Sequence, residues 1–291
     1  MIDDRELAGS IAATSGFHSD IVQRTAVRGG SICASALITL ADGRRYFVKT
    51  RPPAANCPGM FVAESRALER LRAAAAIRVP APVAVSDDFL VLEPFAPRAP
   101  DASWQVRIGR ELAVLHAATA GQSPGFECDN YLGTTPQPNA TAADWVAFWR
   151  DRRLLWQLER FAAAGNAGDP LLALGYALAD RLTAIIGEPA EPCVLLHGDL
   201  WAGNAAADAD GAPVIFDPAS YYGRREAELG MMQLFGGFDA TCFAAYDEVW
   251  PLAPDSARRI AVYRLYHELN HLNLFGRGYY AQCTATLRGL L

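Results

Sequence analysis

The segment His197-Gly-Asp-Leu-Trp-Ala-Gly-Asn204 sets an aspartate and an asparagine five residues apart, and a second aspartate, Asp217, follows thirteen residues after the asparagine. These residue types at these intervals suit phosphoryl transfer from a nucleotide to a hydroxyl. Asp199 can accept the proton of the attacking hydroxyl, and Asn204 and Asp217 can hold Mg²⁺ on the nucleotide phosphates. The basic residues add a separate signal. The chain has 25 arginines and a single lysine, Lys49, at the end of the run Arg45-Tyr46-Phe47-Val48. An ammonium on a strand can reach a nucleotide site as a compact point charge, held by a carboxylate from a neighbouring helix. Glu64 is the candidate partner, because Glu64, Leu68, Leu71 and Ala75 share one helical face. A solvated strand lysine and a chance polar hairpin are the plain alternatives.

Elements must deliver these side chains to one place. Val194-Leu195-Leu196 reads as a short buried strand feeding the first loop. Gly211-Ala212-Pro213 reads as a turn before the strand Val214-Ile215-Phe216. Toward the N-terminus, residues 1–16 suggest a leading helix. From about Asp20 to Thr50 the pattern is strand, glycine turn at Arg28-Gly29-Gly30-Ser31, strand, hairpin at Asp42-Gly43, strand. A helix opened by Glu64 follows, then strands Ala81–Val85 and Phe89–Leu92. The run Glu93-Pro94-Phe95-Ala96-Pro97 interrupts the pattern and divides 1–93 from 94–291. Beyond it helical spacing dominates, at Asp101–Ala120, Ala142–Ala164, and about 170–187, 239–249 and 255–274, with a further C-terminal segment. The expected architecture is α+β in two lobes: a small antiparallel sheet with one helix, and a larger, mainly helical lobe. The linker at 121–140 is longer than a plain connection, and its polar stretch Asp129–Asn139 reads as a functional loop.

Composition narrows the partners. With 291 residues, 51% hydrophobic content and a net charge of −6, the chain is globular and lacks the basic stripe of a nucleic-acid binder. No apolar run approaches the roughly 18 residues of a membrane span, and the acidic start Met1–Glu6 is not a secretory signal. Six cysteines without CxxC spacing argue against zinc and against a disulfide framework, so a reduced, cytoplasmic protein is expected.

Three other motifs point elsewhere and fail. His267-Glu268-Leu269-Asn270-His271 has the HExxH spacing of zinc proteases, but no Asp, Glu or His follows His271 to supply a third ligand. Gly121-Gln122-Ser123-Pro124-Gly125 has the GxSxG spacing of hydrolases. The residue after its serine is a proline, without the N–H that an oxyanion needs. A P-loop requires Gly-Lys-Ser/Thr, and the lone lysine follows Val48. A nucleotide site must therefore use a covering glycine turn, for which Gly29 and Gly30, upstream of Lys49, are the candidates.

Over nearly its whole length the chain resembles the fructosamine kinases, or ketosamine-3-kinases, of the protein-kinase-like superfamily. The residues that carry the resemblance are His197-Gly-Asp-Leu-Trp-Ala-Gly-Asn204; Asp217-Pro-Ala-Ser-Tyr-Tyr-Gly223; Asn130-Tyr-Leu-Gly133 with Pro136-Gln-Pro-Asn139; and Leu269-Asn-His-Leu-Asn-Leu-Phe-Gly276. HGDxxxxN alone is shared with aminoglycoside and choline kinases; Trp201 and the other runs narrow the choice. One departure lies after the second run. The family's acidic pair there usually ends in ExDLA, whereas this chain has Glu226-Ala227-Glu228-Leu229-Gly230, the same charge on a longer arm.

The resemblance implies ATP- and Mg²⁺-dependent phosphorylation of the 3-hydroxyl of a ketosamine, free or protein-bound, with an unstable product and a part in deglycation. It implies Asp199 as base, Asn204 and Asp217 at the metal, and Lys49 with Glu64 at the phosphates. The Glu93 carbonyl and Phe95 N–H would bracket the adenine, with Pro94 between them because that position need not donate. Trp201, His271 and Asn130 are the candidates for the sugar and its amine substituent, and Tyr221 and Tyr222 offer either sugar faces or core packing. Cys33 reads as an ordinary strand residue or a redox-sensitive neighbour of the glycine turn. Another small-molecule kinase of this fold, acting on an aminoglycoside, choline or a plain sugar, is the alternative function; a pseudokinase binding module is the other.

Overall fold

The computed structural model describes residues 3–27, 33–51 and 56–291, so the Gly29-Gly30 turn lies outside the described residues. Helix α1 (Asp4–Ser15) starts at an Asp3 cap whose carboxylate accepts from the Arg5 N–H. Strands β1 (Ile21–Val27), β2 (Ala34–Leu40) and β3 (Arg45–Thr50) follow. The β2–β3 hairpin turns where Gly43 takes φ 88° and its N–H donates to the Leu40 carbonyl at 2.9 Å, which is why Asp42-Gly43 was readable. Helix α2 (Met60–Ala73) begins a turn earlier than Glu64, so Glu64 sits in its second turn. Strands β4 (Pro82–Val85) and β5 (Phe89–Leu92) complete an antiparallel sheet of order β1-β2-β3-β5-β4.

All four residues of β5 are buried, and strand alternation explains why. Phe89 and Val91 join Leu7 and Ile11 of α1 in a small cluster on one face. Leu90 and Leu92 join Phe61, Leu68 and Leu71 of α2 on the other, in the main core shared with the helical part. Lys49 pairs with Leu90 across the sheet, so its side chain issues on the α2 side, toward Glu64.

The remainder is mainly helical. Helix α3 (Trp104–Ala118) leads to a short hairpin, β6 (Asn130–Leu132) with β7 (Thr135–Gln137). The helix expected across Ala142–Ala164 is segmented into α4 (Trp145–Trp149), a wide π turn at Arg150–Leu154, and α5 (Leu155–Phe161). A second π stretch ends it, with Gly165 at φ 91°. Helix α6 (Pro170–Ile186) follows, capped by Asp169 with Pro170 in the first turn.

Four short strands then place the chemistry: β8 (Val194–Leu196), β9 (Ala205–Ala207), β10 (Pro213–Ile215) and β11 (Tyr221–Gly223). β9 pairs with β10 and β11 with β8, both antiparallel. The loops 197–204 and 216–220 therefore emerge side by side. Helix α7 (Glu226–Met232) packs on α9 (Ser256–Phe275), to which the Arg259 guanidinium ties the Glu226 carboxylate at 2.6 Å. Helices α8 (Ala240–Val249) and α10 (Tyr280–Leu290) close the structure.

Candidate active site

The two loops are bonded to each other before any ligand is considered. His197 Nε2 donates to the Phe216 carbonyl at 2.8 Å, which leaves Nδ1 to accept from the Asp199 N–H at 3.3 Å. Burial lowers the His197 pKa, so the ring is a neutral strut. The Ala219 N–H donates to the His197 carbonyl at 2.9 Å and the Phe216 N–H to the Asn204 carbonyl at 3.1 Å. Gly198 is required by space and by backbone. Its φ is +83°, and a Cβ there would lie 2.2 Å from the Ala219 oxygen.

Beneath the first loop lies Glu228, fully buried. Its Oε2 accepts from the His197 N–H at 2.5 Å and its Oε1 from the Gly198 N–H at 3.0 Å. This is what the longer acidic arm of the sequence does: it fixes the backbone immediately before Asp199. His116, buried and with its pKa lowered by burial, stands 3.9 Å from the same carboxylate and bonds Tyr246 Oη at 2.7 Å.

Lys49, Glu64, Asp199, Trp201, Asn204, Asp217 and His271 all line one cavity of about 350 Å³. Lys49 Nζ lies 2.7 Å from both Glu64 oxygens and 3.1 Å from Asp217 Oδ1. Burial works against the Lys49 charge, but Asp217 and Glu64 outweigh it and hold the ammonium above its usual range. Burial pushes the Glu64 carboxyl up while Lys49 pulls it down. The symmetric contact of both oxygens with Nζ is that of an ion pair. Asn204 Nδ2 donates to the Asp199 carbonyl at 2.9 Å and to Asp199 Oδ2 at 3.3 Å, and its Oδ1 has no hydrogen-bond partner among the described residues. Burial, Asp217 and Glu228 raise the Asp199 pKa well above that of an ordinary carboxylate. Asp217 adopts φ 59°, the left-handed region, which costs a non-glycine residue about 1–2 kcal/mol.

The other half of the cavity is aromatic. The Trp201 ring covers Gly203, where a Cβ would sit 2.2 Å from the indole, and meets Phe235 edge-on at 5.9 Å. His271 packs on Phe235, Tyr279 and Phe275 at 4.9, 5.2 and 5.4 Å. Its Nδ1 donates to the His267 carbonyl at 2.8 Å, and burial lowers its pKa. A neutral ring so bonded turns Nε2 outward as a hydrogen-bond acceptor. Phe235 and Tyr279 were missed in the sequence. The adjoining Gly236-Gly237 turn, which seats Gly237 against Ala202, was the available signal for Phe235.

Some sequence-predicted residues lie elsewhere. Asn130 does not line the cavity. It is buried and its amide is consumed internally, Nδ2 donating to the Ser220 carbonyl at 2.8 Å and Oδ1 accepting from Gln137 at 2.7 Å. A substrate contact for Asn130 is therefore corrected to a structural one; Tyr131, Leu132 and Gly133 of the same hairpin line the cavity instead. Glu93, Pro94 and Phe95 also lie outside that lining. The Glu93 carboxylate is engaged by Arg78 at 3.2 Å and by the Ala81 N–H at 3.3 Å. The Phe95 ring lies 5.7 Å from that of Phe216, next to Asp217. Cys33 lines the cavity, and burial pushes its thiol up to about 11, so it is not a thiolate at neutral pH. Tyr221 is core, and Arg153 lies over its ring at 4.1 Å. Among the described residues no group of three or more His, Cys, Asp or Glu side chains forms a metal cage.

The fructosamine kinase family model matches residues 4–291. A Synechocystis sp. protein named as a ketoamine kinase is 39% identical over 293 residues, covering 98% of this chain and 96% of its own. The chloroplastic protein-ribulosamine 3-kinase of Oryza sativa subsp. indica is 39% identical over 274 residues, covering 91% and 78%. The solved structure assigned as a fructosamine-3-kinase from Thermobifida fusca superposes with a TM-score of 0.88 at 32% identity, covering 98% of both chains. A type I macrolide 2′-phosphotransferase, at 15% identity and a TM-score of 0.59 over 97% of this chain and 96% of that one, shares the fold alone. The expected two-lobed, protein-kinase-like α+β fold is the one observed.

Proposed function

Because this chain belongs to the fructosamine kinase family, we propose that it transfers the γ-phosphoryl group of ATP to the 3-hydroxyl of a ketosamine. Residues 1–93 would cover the nucleotide and 94–291 would carry the catalytic loops and the acceptor. The observation that carries the reading is the juxtaposition of Asp199 with an aromatic wall that includes a neutral His271. Such a wall suits a sugar, whose C–H faces stack on rings and whose hydroxyls donate to an imidazole nitrogen. It does not suit an aminoglycoside, which brings several ammonium groups. Among the described residues the carboxylates lining the cavity are Glu64, Asp199 and Asp217, all at the phosphotransfer end, and an unpaired buried ammonium is costly. One amine of a ketosamine can instead lie over aromatic faces.

In this reading Asp199 accepts the hydroxyl proton as the phosphoryl group leaves ADP. Glu228 and His197 hold the Asp199 backbone, so the base meets the hydroxyl without reorganising. Lys49, steadied by Glu64, contacts the phosphates. Asn204 Oδ1 and the Asp217 carboxylate would hold Mg²⁺, and the residues fit the ion. They are hard oxygen donors, and the crowding that raises the Asp199 pKa is what a divalent cation relieves. When bound, Mg²⁺ neutralises charge on the phosphate oxygens. The Glu93 carbonyl and Phe95 N–H remain our assignment for the adenine edge, and Gly29-Gly30 for the phosphate cover. No helix among the described residues is long and apolar enough to cross a membrane; cytoplasmic work on free or protein-bound ketosamines fits the reading.

The test is phosphate transfer against ribulosamines, erythrulosamines, fructosamines and aminoglycosides, with the product's phosphorylated carbon located by ³¹P NMR. A ketosamine 3-phosphate as the main product is expected. Efficient phosphorylation of an aminoglycoside with no ketosamine turnover would reverse the assignment. ATP binding without transfer to any acceptor would favour the pseudokinase.

A further inference from the structure

The segment after Asp217 is gripped from two sides. From one side the catalytic loop holds it, since the Ala219 N–H and Ser220 Oγ both donate to the His197 carbonyl, at 2.9 and 3.4 Å. From the other side come the side chains of the β6–β7 hairpin. Gln137 Nε2 donates to the Ala219 carbonyl at 3.0 Å and to Asn130 Oδ1 at 2.7 Å, and Asn130 Nδ2 donates to the Ser220 carbonyl at 2.8 Å. Tyr266 Oη donates to Gln137 Oε1 at 2.8 Å. Gln137 has no exposed surface, so water cannot replace these bonds. Both its N–H groups and its oxygen are used. Turning the amide over would set its oxygen against two acceptors, so the network admits one arrangement.

The hairpin is itself anchored. The guanidinium of Arg153, also without exposed surface, donates to the Pro138 carbonyl and to Asn139 Oδ1, each at 2.7 Å. The polar run Asp129–Asn139 is thus a buried brace. What it braces is the backbone two and three residues beyond Asp217, whose left-handed φ of 59° persists only if its surroundings over-determine it.

We propose that Gln137, seated by Asn130 and Tyr266, is a positioning residue for the Asp217 carboxylate: by fixing the Ala219 and Ser220 carbonyls it holds Asp217 where it can take a metal. This rests on the reading of Asp217 as a metal-holding residue. A purely structural Gln137 would affect stability and leave metal affinity alone, and the two roles separate on that point.

The experiment uses Gln137→Met, which keeps length and apolar volume but removes the amide, with Mn²⁺ as the probe. Mn²⁺ binding to the full-length protein carrying a non-hydrolysable ATP analogue is measured by loss of the free-ion EPR signal. In parallel, the Mg²⁺ dependence of turnover is followed. The expected result is Mn²⁺ affinity about tenfold weaker and a similar rise in the Mg²⁺ needed for half-maximal rate, with metal-free ADP binding close to the parent's. Tyr266→Phe removes one hydroxyl and should shift both readouts the same way, by about two- to fivefold; it decides the question if Gln137→Met does not fold. Parent-like Mn²⁺ affinity in a folded Gln137→Met, or failing that in Tyr266→Phe, overturns the proposal. Asp217→Ala separates the layers. Retention of Mn²⁺ there would sink the metal reading, whereas its loss there beside parent-like binding in the Gln137 variant sinks only the positioning role.

Discussion

Replacing Glu228 with glutamine tests whether the catalytic loop is held by a buried carboxylate. Two backbone N–H groups converge on its two oxygens, from His197 at 2.5 Å and Gly198 at 3.0 Å. Glutamine is nearly isosteric, but one of its terminal atoms is a donor. It can accept one of the two bonds, and it sets its NH₂ against the other N–H, which the surrounding core shields from water. A buried donor left unsatisfied costs about 1–3 kcal/mol, and bonds to a charged acceptor lie at the upper end. A loss of about 2–3 kcal/mol corresponds to a fall in Tm of roughly 3–5 °C for a chain of this size. The catalytic effect should be larger than the stability effect suggests. Gly198 directly precedes Asp199, and a shift of about 1 Å at the reacting group can cost roughly a hundredfold in rate. Differential scanning fluorimetry and steady-state kinetics on the same preparation give both quantities. We expect kcat to fall ten- to a hundredfold with ATP KM within about threefold of the parent. A Glu228→Gln protein with the parent's Tm and kcat would refute the idea that this carboxylate sets the loop.

Asp199→Asn should lose ~10²–10⁴ in kcat with little change in nucleotide affinity; near-parental turnover at saturating substrate would remove it as the base. Since burial, Asp217 and Glu228 raise the Asp199 pKa and the base acts deprotonated, activity in a pH–rate profile at low Mg²⁺ should fall with pH on a limb above the ordinary carboxylate range, and saturating metal should move that limb down. By linkage the same shift stabilises the protonated, metal-free protein below the unfolded pKa and is lost as pH rises through the folded one, so the gain in Tm from Mg²⁺ should grow with pH. Lys49→Met removes the ammonium from between Glu64 and Asp217, and kcat/KM for ATP should fall at least tenfold, with a parent-like circular-dichroism spectrum as the control against general unfolding. His271→Ala should reduce kcat/KM for the ketosamine about three- to tenfold, the worth of one hydrogen bond to an uncharged group, and Trp201→Ala should cost more, with Trp201→Phe recovering part; unchanged kinetics in both would place the acceptor elsewhere.

The gathering of Lys49, Glu64, Asp199, Asn204 and Asp217 in one cavity could be read from the chain because its geometry is local. A strand, the loop 197–204 and a hairpin fix Asp199, Asn204 and Asp217 relative to one another, and strand alternation fixes which way Lys49 faces. Its pairing with Glu64 needed only the helical face of α2, even though that helix begins at Met60 rather than at Glu64. The acceptor wall is different. Phe235 precedes a Gly-Gly turn and Tyr279 lies in the short bend before α10; they meet His271 only because α9 passes beneath both. No interval along the chain encodes that meeting. The break of the 142–164 helix was hidden for a related reason. Trp145, Phe148 and Trp149 all precede the π turn at Arg150–Leu154, so their helical spacing carries no mark of it.

The polar run Asp129–Asn139 shows where composition misleads. Asparagine, glutamine and threonine gathered in a long connection suggest a loop that meets a ligand, because polar groups are costly to bury unless each finds a partner. Here each principal amide does. Asn139 donates to the Cys128 carbonyl at 3.1 Å and accepts from Arg153, while Gln137 and Asn130 serve the Ala219 and Ser220 carbonyls. The same residues that would suit a sugar also suit the backbone carbonyls of a segment with few ladder partners, and β11 is only three residues long. A short strand leaves main-chain oxygens to be satisfied by side chains. Amides, with fixed donor directions, specify one position where hydroxyls would allow several. That requirement arises because Asp217 must stand in an unfavourable conformation beside its charged neighbours. On the positioning role proposed above, the run acts one step removed from the substrate, through the backbone that follows the Asp217 carboxylate.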